Sequence, residues 1–271
     1  MLAAWLVLLL ALVVLFRPSH DREWELGHEA LPHIIASSTS SYIAIENYRN
    51  FRWTSKKEAE VRYETHMFDL DKLAGVDVFI SHFDDFEGLA HIFLSFDFGG
   101  EDRVVVSLET RRESDEEFSP LLGLLRQFEI IYVVGSEEDI VGVRTDHRGE
   151  RVYLYETKAG PEQAQALFAL LTEDINEIYR EPRMYNTLMH NCTNELTRPV
   201  EHMSDVDFPL TWKAILPGFF DEVLYELELI DTTQSFADTK DAHYIDNDAV
   251  DATDATYSTD LRAARAVAQD V

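Results

Sequence analysis

The chain has 271 residues, with 51 acidic against 23 basic side chains and a formal net charge of −28. A field of that sign repels phosphate backbones, which excludes nucleic acid as a partner, and solubility is sufficient reason for the charge itself. The length and the 46% apolar content allow one substantial core. The single cysteine, Cys192, excludes an intramolecular disulfide, and an unpaired thiol in an oxidising compartment needs either burial or a chemical role.

In chain order, residues 1–17 form a membrane anchor. The apolar run over residues 1–16 extends roughly 24 Å as a helix, slightly short of a hydrocarbon core. It lacks a basic start and a small-residue cleavage site, so an uncleaved anchor is expected rather than a cleaved signal peptide. The basic residues Arg17 and Arg22 follow the run, which by the positive-inside tendency holds the domain in the cytoplasm unless a further basic or membrane segment precedes this start. Residues 18–40 read as a linker, residues 41–230 as one domain, and residues 231–271 as an acidic, disordered tail closed by a short helix over 261–268.

Within the domain, one or two strands are expected over residues 42–53, another over 77–83 (DVFISHF), and two more over 90–98 (AHIFLSFDF) and 103–109 (RVVVSLE). Gly99 and Gly100 separate the last two, so an antiparallel hairpin follows, with His91 opposite residues 109–111. Further strands are expected at 129–134, 141–145 and 152–155. Pro161 then opens an amphipathic helix through about Tyr179, and Pro182 ends it. Cys192 follows a polar turn, at the start of another helix. The pattern is an α+β fold, an antiparallel sheet packed against helices.

A thiol does nucleophilic work as thiolate, and a helix start together with a neighbouring imidazole lowers its pKa. Cys192 has the helix start, although a lone cysteine is as often a small buried apolar residue. His91 stands on a predicted strand where Glu109, across the hairpin, would orient its ring; the plainer reading is a half-buried histidine satisfied by the backbone and a strand-end charge paired with Arg111 or Arg112. His190 and His82 are rival bases. No residue cluster has zinc-ligand spacing and no glycine loop suits phosphate, so neither metal nor nucleotide cofactor is expected.

Four segments taken together, GLAHIFLSFDFG at 88–99, SLETRRE at 107–113, LRQFEIIY at 125–132 and YNTLMHNCT at 185–193, resemble the Lnb N-terminal periplasmic domain family over roughly residues 40–230. The resemblance implies a circularly permuted papain-like fold, related to NlpC-like enzymes, with histidine preceding cysteine in the chain. It implies a bacterial inner-membrane protein whose main domain faces the periplasm. It also implies lipoprotein N-acyltransferase chemistry, with phospholipid and lipoprotein as substrates. In that scheme Cys192 forms the thioester, His91 deprotonates it and Glu109 orients His91. Two other readings remain open: a thiol amidase or peptidase acting on peptidoglycan or peptide, and a non-catalytic envelope module. The acidic tail has no apolar run of spanning length, a departure from the complete acyltransferases.

Overall fold

The computed structural model describes residues 17–116, 128–185, 192–209 and 211–267. The apolar run over residues 1–16 and the rival base His190 lie outside the described residues. An eight-stranded sheet is built from β1 (His33–Ala36), β2 (Tyr42–Arg49), β5 (Tyr63–Asp69), β6 (Gly75–His82), β7 (Ala90–Asp97), β8 (Arg103–Arg111), β9 (Glu129–Gly135) and β10 (Arg151–Glu156). A small ribbon of β3 (Arg52–Trp53) and β4 (Ala59–Glu60) stands apart. The sheet runs β1-β2-β9-β8-β7-β6-β10, with β5 also on β2, and every junction is antiparallel save β2 to β9. At that junction Gly135 crosses the backbone of Arg49, where a Cβ would stand 2.2 Å from the Arg49 carbonyl oxygen, so only glycine fits.

Seven α-helices complete the described fold: α1 (Glu137–Ile140), α2 (Pro161–Arg180), α3 (Cys192–Met203), α4 (Trp212–Ile215), α5 (Phe220–Glu226), α6 (Phe236–Ala242) and α7 (Tyr257–Val267). Alternation along the central strands divides the core in two. Ile80, Ile92, Leu94, Phe96 and Val106 face α2, α3 and α5, whose Phe168, Leu196 and Leu224 complete the larger cluster. Phe79, Phe93, Val105 and Ile131 face the other way, against Ile140, Tyr257 and Leu261. The mixed architecture of a multistranded sheet packed against helices agrees with the sequence reading.

Three local expectations are corrected. Residues 143–148 form a π-helical turn, Val143–Arg148, in place of the strand expected at 141–145. Residues 18–40 are no free linker, because β1 joins the sheet and the preceding segment is held by Arg111. That guanidinium is 2% exposed, donates to the His28 and Glu29 carbonyls at 2.9 and 3.1 Å, and lies 4.0 Å over the Trp24 ring.

The third correction concerns the acidic tail, which is ordered through Val267 and docked. Its few apolar residues are concentrated where they count: Tyr257 and Leu261, four apart on one face of α7, are fully buried in the second cluster. Arg262 from the same helix reaches the fully buried Glu137 at 2.9 Å and Asp77 at 2.6 Å, and Ser95 donates to Glu137 from the sheet.

Removing Arg262 leaves a buried carboxylate without its cation, a change that costs about 3–5 kcal/mol. Arg262→Met is therefore expected to lower the urea midpoint by an amount corresponding to that loss. A stability within about 0.5 kcal/mol of wild type would show that the Arg262 contacts do not hold the tail to the sheet.

Candidate active site

The site is set by where two strands separate. The hairpin of β7 and β8 turns at Gly99 and Gly100, both at positive φ, as the glycine pair suggested. Its ladder runs from Asp97↔Arg103 to Leu94↔Val106 and no further. Beyond that point β7 continues on β6 as far as Ala90, and β8 continues on β9 as far as Arg111. The two strands therefore fork, and His91 lies on one limb with Ser107 and Glu109 on the other.

A side-chain relay bridges the fork in place of backbone bonds. His91 Nε2 lies 2.7 Å from Ser107 Oγ, and Ser107 Oγ donates to Glu109 Oε1 at 3.0 Å. A hydroxyl that gives its proton to the carboxylate can only accept from the imidazole, so the His91 proton sits on Nε2. Nδ1 makes no hydrogen bond among the described residues and presents a lone pair. Glu109 thus meets His91 through Ser107, with a direct approach of 3.9 Å. Ser107 is fully buried, which suits a relay and not a nucleophile.

Glu109 is the charge that organises this network. His28 donates from Nε2 to Oε2 at 3.3 Å and the Arg144 guanidinium lies 3.3 Å from Oε1. Burial by itself raises this carboxyl, but the His28 hydrogen bond and the Arg144 charge outweigh it and hold Glu109 well below the usual carboxylate range. Arg144 is fixed in turn by the Ile140 carbonyl and by the Phe93 ring, 4.8 Å from its guanidinium carbon. Burial, reinforced by the Arg144 charge, pushes His91 down to about 4. The imidazole is consequently neutral at physiological pH, the state a general base requires.

Helix α3 begins at Cys192 and packs across both β7 and β8. Its Leu196 shares the larger core cluster with Ile92 and Leu94, whereas the His91 ring stacks on Phe93 on the opposite face. The cysteine helix and the His91 ring therefore lie on opposite faces of the sheet. The Cys192 side chain lies outside the described residues. His82, the last residue of β6, is on the α3 side of the sheet, paired in register with Ala90. Its ring is fully enclosed, packs edge-on against Tyr153 at 5.5 Å, and has no hydrogen-bond partner at either nitrogen. Burial lowers its pKa.

The family model of the Lnb N-terminal periplasmic domain matches residues 59–218, more than half of the chain. The chain belongs to this family. Neither a curated protein nor a solved structure matches it. As a member of the Lnb periplasmic domains it is a module of the cell envelope, and among the described residues no helix is long and apolar enough to cross a membrane. His91, Ser107, Glu109, Arg144 and Cys192 all fall inside the matched span of the Lnb domain, narrower than the 40–230 expected, while His28 and Arg262 act on it from outside.

Sequence reasoning passed over Ser107, Arg144 and His28. A signal for the first existed: Ser107 and Glu109 are two apart on a strand and so share a face. Nothing local marks Arg144, which reaches Glu109 from 35 residues away, or His28, from 81.

An NMR titration tests the electrostatics. His91 is expected neutral, protonated on Nε2, with a transition near 4, and Arg144→Met should raise that value by removing the nearby positive charge. A His91 that titrates at 6.5 or above, or carries its proton on Nδ1, contradicts the network.

Proposed function

We propose that this domain carries out cysteine-dependent acyl transfer at the envelope membrane, with Cys192 as nucleophile, His91 as base and Glu109, through Ser107, as the group that fixes the base. The observation that carries the reading is the bare Nδ1 of a neutral His91 at a strand fork, with the helix that opens at Cys192 packed across both forked strands from the other face, inside the Lnb match. The order of histidine strand before cysteine helix is the one expected of a circularly permuted papain-like arrangement. The apolar run over residues 1–16 would hold the domain at the inner membrane with its site in the periplasm.

The chemistry closes in protons. Nδ1 takes the thiol proton as the sulfur attacks an ester carbonyl of a phospholipid, and the imidazolium returns that proton to the departing alcohol, leaving a thioester. A lipoprotein amino group then attacks the thioester, its proton passes to Nδ1, and the sulfur recovers it as the amide forms. Glu109 stays ionised throughout and stabilises the transient imidazolium through Ser107, while the Nε2 bond keeps the ring from turning its protonated nitrogen toward the sulfur. Replacing the amine with water gives amide or ester hydrolysis by the same groups. His82 supplies a second reading for the base, favoured by its place on the α3 side with both ring nitrogens unbonded.

Incubation of the purified protein with labelled phospholipid should leave an acyl group on Cys192, detected by mass as a hydroxylamine-sensitive adduct. His91→Ala should lower its rate of formation by about 100-fold, general-base catalysis being worth 10²–10⁴. Ser107→Ala should lower it at least tenfold with little change in melting temperature. No adduct from any lipid class sinks the acyl-transfer reading, and full activity in His91→Ala with loss in His82→Ala transfers the role of base to His82.

A further inference from the structure

Beneath helix α3 lies a cavity of about 190 Å³, enclosed between the sheet, α2, α3 and α5. Its lining is mainly apolar, with Val78, Ile92, Leu94, Leu196, Val200 and Leu224 among its walls, and its polar groups come from Thr157, Lys158, Gln163, Thr197 and Ser204. Its lining includes Ile92, fully buried, and Leu196, 4% exposed, together with the exposed Lys158 and Gln163. Packed cores leave few voids larger than a water molecule, so an opening of this size in an otherwise dense interior needs an occupant or a reason. Water is a poor one over most of its extent, because the apolar part of the wall offers none of the two to four partners that a buried water requires. A dry apolar cavity of about 150 Å³ is enough for benzene, so this one accommodates roughly six to eight carbons.

Its position gives it a chemical meaning. Leu196 lines the cavity and is one helical turn after Cys192, roughly 6 Å along the axis, so the wall of the cavity begins just past the residue that would carry the thioester. Resting on the acyl-transfer reading above, we propose that this cavity holds the hydrocarbon tail of the acyl group on Cys192, the chain running from Leu196 toward Lys158. A saturated hydrocarbon chain suits the mainly apolar walls. A peptide stem suits it less, because most of the wall is apolar and would leave the greater part of its N–H and C=O groups without partners. The cavity is in this way the element that separates an acyl donor from a peptidoglycan amide.

The test uses the full chain carrying Cys192→Ala, so that binding is read without chemistry, and 11-(dansylamino)undecanoic acid as the probe. One-to-one binding with a blue-shifted emission is expected, weakened at least tenfold by Val200→Phe or Leu224→Phe, each of which puts a ring into the cavity. Absence of saturable binding, or equal affinity in both filled variants, overturns the proposal. Should the filled variants fail to fold, intermolecular NOEs from ¹³C-labelled decanoate decide: contacts to the methyls of Leu94, Val200 and Leu224 support the cavity, and contacts confined to other residues overturn it. The two readings fail separately. Probe binding that Val200→Phe removes, in a protein whose Cys192 never acylates, retains the cavity and rejects acyl transfer. Acylation whose chain-length preference is untouched by Val200→Phe does the reverse.

Discussion

A carboxylate drawn into the body of a sheet must be kept ionised by its neighbours or surrender its charge, and the half-buried Glu109 is held ionised by two distant parts of the chain and by its own strand. His28 reaches it from the segment before the first strand, Arg144 from the π-helical turn, and Ser107 from its own strand. Each of these attachments has a structural consequence. His28 and its neighbours are pinned by the carbonyl bonds to Arg111, so the chain ahead of the sheet is drawn into the fold. Arg144 ties the π-helical turn to the same carboxylate, and its charge lies close enough to His91 to keep the imidazole neutral. The fork between β7 and β8 is bridged by the relay that ends on Glu109.

A second carboxylate supports the face on which this network sits. Glu137 opens α1 in the buried layer between sheet and C-terminal helix, and Arg262 neutralises it from α7 together with Asp77. The strong net negative charge of the chain makes such cations scarce, and the described fold sets arginines against buried or half-buried carboxylates: Arg49 on Asp139, Arg144 on Glu109, Arg262 on Glu137. Arg49 is bidentate to Asp139, at 2.9 and 3.0 Å, and fixes the point where β2 passes β9. The acidic surface is thereby separated from a small number of internal charges, each with a defined partner.

Much of the central sheet was legible because its physics is local. Alternating β-branched residues over 103–109 and the Gly99-Gly100 pair specify a hairpin without help from elsewhere, and Pro161 starts α2 where a residue lacking an N–H costs nothing. The tail was misread because average composition hides position: Tyr257, Leu261 and Ala264 recur at helical spacing, and a short apolar stripe of this kind is enough when a sheet face awaits it. Residues 141–145 look like a strand, yet the contacts of Arg144 with Ile140 and Glu109 are made from a π-helical turn, a demand imposed by residues that no window of sequence contains. The relay was half visible: His91 and Glu109 could be named, but that Ser107 stands between them depends on the strands separating past Leu94 and Val106, which is a property of the sheet and not of either strand.

The central proposal is that Nδ1 of His91 serves as base to the Cys192 thiol, and a bifunctional reagent reads it directly. 1,3-Dibromoacetone alkylates a reactive thiol first and then any nucleophile within about 5 Å, so peptide mapping of the modified protein reports which atom faces the sulfur. The account predicts a Cys192–His91 bridge attached at Nδ1. A bridge to His82, or Cys192 alkylated once with no second attachment, would contradict it.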